Sequence, residues 1–205
     1  LMKTKPVVSI IIPTRNSEEV LAITLRSIND QNCSRRLYEV IVADNQSHDK
    51  TVEIAKKYGA KVIKVKGKPP KTSTQRNLAA KISKGDYIFY LDHDIELTPN
   101  LIENFVESTK GENRDVDAWY VPYKIVARGR LLTKVRNFEE QFYLNSVVAA
   151  ARIIKKETFW KTESQFDASM DPGPADWDLD IQLILINAKF DYLMDYVYHH
   201  EENLT

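Results

Sequence analysis

The run Val7–Ile12, V-V-S-I-I-I, is an almost unbroken stretch of β-branched apolar residues. A strand with one solvated face alternates polar and apolar residues, whereas a strand covered on both faces does not. The run therefore belongs inside a sheet with helices on both sides, and the segments after it supply the required crossovers. Pro13 stops it, Thr14-Arg15-Asn16 makes a turn, and Ser17 with Glu18-Glu19 opens an amphipathic helix through about Asn29. Tyr38–Ala43 reads as a second strand ending at Asp44-Asn45. Ser47–Asp49 then caps a helix through Tyr58, with Gly59 as its stop, and Lys61–Val65 is a third strand. Strand, helix, strand, helix, strand at this spacing means parallel pairing with right-handed crossovers. The expected class is α/β, a Rossmann-like, mostly parallel central sheet with helices on both faces.

The stretch G-D-Y-I-F-Y-L-D-H-D-I-E, Gly85–Glu96, places chemistry on that frame. Gly85 ends a helical segment that begins after the loop K-G-K-P-P-K-T-S-T, and Tyr87–Leu91 reads as a buried strand. Asp92, His93 and Asp94 leave its C-terminal end, the edge at which open α/β sheets bind ligands. Two carboxylates at i and i+2 can converge on one spot, and a divalent cation relieves their repulsion. Thr98-Pro99 also starts a helix well, so an acidic capping turn is the competing reading of this stretch. In the loop, Lys68 and Lys71 are solvated charges or diphosphate partners, with Arg76 in the first turn of the following helix.

Further along, Leu101–Ser108 is helical and Ala118–Val126 is a strand broken by Pro122. Basic Arg128–Arg136 precedes an aromatic segment, Asn137–Leu144, which reads as a helix covering the sheet, with peripheral membrane contact as the alternative. Val147–Ile154 is a strand, Phe166–Ala175 a Pro- and Gly-rich loop, Asp176–Asn187 an amphipathic helix, and Phe190–Tyr198 a last strand with His199-His200 beyond it.

Composition narrows the function. Lys plus Arg and Asp plus Glu both number 29 in 205 residues, so no basic excess points to nucleic acid. A lone cysteine, Cys33, rules out an internal disulfide framework and fits a reducing compartment. No apolar run approaches the roughly 20 residues of a membrane span, and no apolar core follows the lysines of Leu1–Pro6. These features lead us to expect a single cytoplasmic domain with no secretory leader, free or at the membrane's cytoplasmic face. A membrane segment in a longer parent chain stays open. Neither G-x-G-x-x-G nor a Walker sequence is present, which counts against dinucleotide oxidoreductases and ATPases.

Polar clusters instead fall at strand exits and at one helix start: Thr14–Asn16, Asp44-Asn45, Asp92–Asp94 and Asp176–Asp180. Asp44 can accept from a base N–H or a ribose hydroxyl, or close an Asx turn with Asn45 and Ser47. Asp176, Asp178 and Asp180 either stabilise the helix N-terminus or, beside Trp177, furnish a general base in a partly apolar pocket. His199 and His200 either lie on the surface or lend a nitrogen to the same metal.

Taken in order, V-V-S-I-I-I-P-T-R-N, Y-E-V-I-V-A-D-N-Q-S-H-D-K-T, Q-R-N-L-A-A-K-I-S-K-G-D-Y-I-F-Y-L-D-H-D and F-D-A-S-M-D-P-G-P-A-D-W-D-L-D resemble the family 2 glycosyltransferases of the GT-A fold over nearly the whole chain. The resemblance implies one GT-A domain over 1–205, with a nucleotide-sugar half (1–98) and an acceptor half (99–205). It implies nucleotide-sugar contacts from Thr14, Arg15, Asn16, Asp44, Arg76 and Asp92. Asp92, Asp94 and His199 would be placed at a Mg²⁺ or Mn²⁺, with Asp94 the direct ligand, and Asp176 would be the base of an inverting transfer. A UDP-sugar is the favoured donor, and a glycan or lipid-linked hydroxyl the acceptor. Two positions depart from the family pattern. Ala175 stands where a Glu is usual and Gln182 where an Arg is usual, which moves acceptor or diphosphate contacts towards Arg152 and leaves a catalytically impaired nucleotide-sugar binder as the alternative. A nucleotidyltransferase would want a glycine-rich, basic signature after the first strand, which P-T-R-N is not.

Overall fold

Strand β1 (Val8–Thr14) has every residue buried, as its β-branched run requires. The computed structural model describes residues 5–67, 71–111, 115–127, 134, 135, 138, 150–171 and 173–201. β1 pairs in parallel with β2 (Tyr38–Asp44) and β4 (Tyr87–Tyr90), and β2 with β3 (Lys61–Lys64). β8 (Ala151–Lys155) adds antiparallel to β4, and β6 (Ala118–Tyr120) and β9 (Phe190–Tyr192) complete the order β3-β2-β1-β4-β8-β6-β9. Among the described strands of this sheet, β8 alone runs against the others.

The alternation of side chains along β1 divides the core in two. Ile10 and Ile12 pack with Leu21, Leu25 and Ile28 of α1 (Leu21–Asn29), Ala55 of α2 (Thr51–Lys57) and Leu101, Ile102 and Phe105 of α4 (Leu101–Ser108). Ile11 faces the other way, towards Ala79 and Ala80 of α3 (Thr72–Ile82), Phe159 of α5 (Lys156–Phe159) and Leu179 and Leu183 of α6 (Ala175–Leu185). Helices on both faces are thus the direct consequence of that first apolar run. On the first face Phe105, Tyr87 and Trp119 meet edge-to-face, with centroids 5.1–5.5 Å apart.

Several local expectations change. α1 begins at Leu21 rather than Ser17: residues 18–20 form a turn closed by Leu21 N on the Ser17 carbonyl, while the Ser17 N–H donates to Thr51 Oγ1. Gly59 does stop α2 with a left-handed φ of 77°. Gly85 does not stop α3: a Cβ there would lie 2.6 Å from Ser9 N, so the glycine serves close approach to β1. Arg76 lies one turn inside α3, beyond its first turn.

The expected strand 118–126 is two strands in different sheets. After Pro122 the chain leaves β6 and forms β7 (Tyr123–Ala127) in a small sheet, order β5-β10-β7, with β5 (Ile95–Leu97) and β10 (Val197–Glu201). The run 190–198 divides the same way, into β9 and β10, and Leu193 N and Val197 N donate to Tyr120 O and Pro122 O across the crossing. His199 and His200 are therefore inside a strand, not beyond the last one. Lys68 and the Arg128–Leu144 stretch, apart from Lys134, Val135 and Phe138, lie outside the described residues, as do 147–149 of the strand expected from Val147.

Candidate active site

Parallel register sets the first part of the site. Thr14 and Asp44 are paired across β1 and β2, so the two strand exits lie side by side. Asp44 is buried; its Oδ1 accepts from Thr14 Oγ1 (3.3 Å) and from the Ser47 hydroxyl, and its Oδ2 from Ser47 N (3.0 Å). That is the Asx turn, and it presents the carboxylate on a rigid loop with lone pairs to spare. Asn16, at φ 50°, accepts from His48 N through its side chain and donates its own N–H to Ser47 Oγ, locking the two loops together. Arg15 is exposed beside it. Asn45 Nδ2 is buried without a protein partner, an unused donor at the same edge.

The second part is a cage of cations around Asp92. Arg76 donates to Oδ1 at 2.7 Å, and Arg152, from antiparallel β8, approaches Oδ2 at 3.5 Å. Arg76 is 6% exposed and its guanidinium lies 4.9 and 5.1 Å from the Tyr90 and Phe166 rings, which fix it like a clamp. Burial alone would raise the Asp92 carboxyl; the Arg76 guanidinium, with Arg152 and His199, outweighs it and holds Asp92 well below the ordinary carboxylate range. Arg76 thus reaches the site by orienting Asp92, and both oxygens of Asp92 already face guanidinium groups. Lys71 points elsewhere, to Ala168 O at 2.6 Å.

Asp94 differs from Asp92 although only His93 separates them. Its Oδ2 lies 3.3 Å from His199 Nε2, and its Oδ1 is buried with no hydrogen-bond partner. β10 brings His199 there: it pairs antiparallel to β5, and His200 N donates to Asp94 O at 3.0 Å. His200 points the other way along the strand, to Glu96 at 2.7 Å. Among the described residues no group of three His, Cys, Asp or Glu side chains converges to hold a metal unaided. An orphaned carboxylate oxygen beside an imidazole still suits a hard divalent cation whose other positions are filled by substrate phosphates and water.

The third part is α6. Asp176 is half-buried at its first turn, near enough to Arg152, Tyr90 and Asp180 for their charges to interact. Trp177 is 42% exposed, so it does not form the apolar pocket expected for the base. Gln182 faces away from the site: it accepts from Ser164 N and donates to Gln165 O and Asp178, which pins the loop before Phe166. The position where an arginine was expected is therefore structural, and the guanidinium near Asp176 is that of Arg152. Asp180 escaped the sequence reading as a separate group. It is buried, and both its oxygens lie 3.1 Å from Ala151 N. Burial raises its carboxyl to about 7, against the pull of the Ala151 and Tyr120 hydrogen bonds, with Asp176 adding to the rise. The usable signal was its helical spacing, four residues from Asp176 and three from Leu183, which puts it on the buried face.

A cleft of about 1250 Å³ opens at the opposite edge of the sheet between Lys5, Arg36, Lys84, Lys156 and Trp160. It contains none of these groups.

Residues 9–171 match the model of Glycosyl transferase family 2. Over 75% of its length the chain is 31% identical to the poly(ribitol-phosphate) beta-N-acetylglucosaminyltransferase TarP of Staphylococcus aureus, matching 46% of that protein. Its fold superposes on S. aureus TarS 1-349 in complex with UDP with a TM-score of 0.78 at 22% identity, covering 95% of this chain and 60% of that one. The mannosyltransferase PcManGT of Pyrobaculum calidifontis, in complex with GDP-Man and Mn²⁺, superposes with 0.68 at 18% identity, over 97% and 57%. The chain spans less than two thirds of the length of each.

Proposed function

The chain belongs to glycosyl transferase family 2, and from that premise we propose that it is an inverting, metal-dependent glycosyltransferase that moves a sugar from a UDP-sugar to a hydroxyl of a glycan or lipid-linked acceptor. The observation that carries this reading is Asp94 Oδ1, a buried acceptor with no protein partner beside His199 at the ligand-binding edge of the sheet. Asp94 and His199 would hold a Mg²⁺ or Mn²⁺, which when bound neutralises charge developing on the departing diphosphate. Thr14, Arg15 and Asn16 shape the nucleotide loop, and Asp44 and Asn45 offer an acceptor and a donor to the base or ribose. Asp92, kept charged by Arg76 and Arg152, accepts from sugar or ribose hydroxyls. Asp176 takes the proton from the acceptor hydroxyl as that oxygen attacks the anomeric carbon from the face opposite the leaving group. One base and no protein nucleophile give inversion. The domain is read as one unit, its first half holding donor and its second half holding acceptor. The UDP and poly(ribitol-phosphate) named for the TarS and TarP relatives favour a UDP-sugar and a hydroxyl-rich acceptor.

A second reading, a nucleotide-sugar binder without turnover, is favoured by Ala175, which is 2% exposed and apolar where the family carries a carboxylate. Thermal shift with UDP, GDP and dTDP, with and without Mn²⁺, tests the donor site. Stabilisation by UDP that requires Mn²⁺ and disappears in Asp94→Ala is the expected result. No stabilisation by any nucleotide removes both readings. Release of UDP from UDP-GlcNAc in the wild type but not in Asp176→Asn then separates enzyme from binder.

A further inference from the structure

Asp180 is a buried carboxyl that the mechanism above leaves unused. It lies one helical turn after Asp176 on α6, on the side that faces the sheet. Both its oxygens are within 3.1 Å of Ala151 N at the start of β8, and its side chain hydrogen-bonds the hydroxyl of Tyr120 on β6. Tyr120 is itself held by stacking on Phe190 and Tyr192 of β9, at 5.4 and 5.0 Å. Two strands, β8 and β6, thus meet at one side chain, and β9 braces the second. Pro174 gives α6 no side-chain cap, and the anchor at Asp180 ties the helix to the sheet one turn behind Asp176. The next residue along β8 is Arg152, whose guanidinium reaches towards Asp92.

We propose that Asp180 is a positioning residue that clamps the helix carrying Asp176 to the sheet through Ala151 and Tyr120, and does so more firmly as a carboxylate than as an acid. The inference rests on the reading of Asp176 as the base.

The electrostatic part follows from what surrounds the carboxyl. Tyr90 faces it from β4, Tyr120 from β6 with Tyr192 behind, Arg152 from β8, and Asp176 from its own helix. Only Arg152 in that set is a cation, and its nearest carboxylate is Asp92. Burial therefore keeps a proton on Asp180 up to about pH 7. Above that pH Asp180 is a carboxylate, which holds the Ala151 N–H and the Tyr120 hydroxyl more tightly than a neutral acid does. The physical expectation is a rate that steps up as Asp180 ionises and fixes α6, without a change in donor binding.

The test combines one readout that needs no turnover with one that does. The carboxyl ¹³C resonance of Asp180 is titrated in the wild type and in Asp176→Asn. The midpoint should lie near neutrality and move to lower pH when the neighbouring charge is removed. An Asp180 that titrates in the ordinary carboxylate range, or a midpoint that Asp176→Asn leaves in place, overturns the proposal. Release of UDP from UDP-GlcNAc with Mn²⁺ is then followed from pH 5.5 to 8.5. In the wild type kcat should rise through a step near pH 7. Asp180→Asn, which keeps an oxygen for Ala151 N but cannot ionise, should lose the step and about tenfold in kcat at pH 8, with KM for the donor within twofold. A profile of Asp180→Asn identical to the wild type overturns the proposal. If Asp176→Asn still turns over at the wild-type rate, the base assignment fails instead, and the NMR result stands apart from it.

Discussion

Asp92 and Asp180 are the same side chain in two regions of one site, and they hold their protons oppositely. At the strand exits, Asp92 leaves β4 into two guanidinium groups and stays charged. Behind α6, Asp180 has a backbone N–H and a phenol as its hydrogen-bond partners and keeps a proton until about pH 7. Desolvation acts on both. What separates them is whether a full positive charge reaches the carboxylate, because neutral donors do not repay the loss of water. The edge of the sheet at Asp92 thus holds fixed charge, as the proposed diphosphate site requires, and the region behind α6 keeps a proton until near neutrality.

The comparison breaks hardest at Arg76. Arg76→Ala strips Asp92 of its closest cation and leaves a void between Tyr90 and Phe166. It should destabilise by about 1.5–3 kcal/mol in denaturant unfolding, the loss typical of a hydrogen bond to a charged group, since Asp92 is only partly buried. A loss under about 1 kcal/mol would mean that Arg152 alone supports Asp92.

The pH dependence of stability sharpens the contrast, because the two groups act with opposite sign. The folded value of Asp92 is depressed, so its contribution is present above the ordinary carboxyl value near 4 and is lost only as pH falls well below it. The folded value of Asp180 is raised, so its contribution is fully present below about pH 4 and is lost as pH rises through about 7. Melting followed from pH 5 to 8 should show stability declining with pH by on the order of 3 kcal/mol, with the decline removed in Asp180→Asn. A flat curve in the wild type would place Asp180 among ordinary carboxylates.

Arg152 touches both regions. Arg152→Gln should cost about 1–2 kcal/mol of stability and weaken Mn²⁺-dependent UDP binding roughly tenfold, with calorimetry as the check. An effect on stability alone would confine Arg152 to structure.

The smallest effect belongs to His200. Its pair with Glu96 is partly solvated, so His200→Gln should change stability by less than about 1 kcal/mol. His199→Gln, one residue away, should raise the Mn²⁺ concentration needed for UDP binding about tenfold. Equal effects at both positions would dissolve the distinction between the two faces of β10.

The strands β1, β2 and β4 and their polar exits were legible because each rests on a local pattern. An apolar run of strand length ends at turn residues, and parallel pairing carries all three ends to one edge. Asp44, Asp92 and Asp94 could be named from that alone. The chain beyond residue 98 was less legible. Whether 118–127 and 190–201 are one strand or two depends on which neighbour each segment finds, and Pro122 marks the break without saying that the chain changes sheet there. Gln182 looked like a lost catalytic arginine until its bonds to the Ser164–Gln165 loop gave it a different purpose.

By itself, then, the amino-acid sequence determined the α/β class, the two-sided burial of β1 and the edge at which the carboxylates gather, since these follow from periodicity and turn chemistry along a few adjacent residues. Only the tertiary structure decided which carboxylates meet a cation and which do not. Arg76 and Arg152 reach Asp92 from α3 and from β8, His199 reaches Asp94 through the pairing of β10 with β5, and Asp180 meets Tyr120 and Ala151 across three elements. Charge and proton affinity are set by neighbours a few ångströms away in space that lie tens of residues away along the chain, and no local pattern records them.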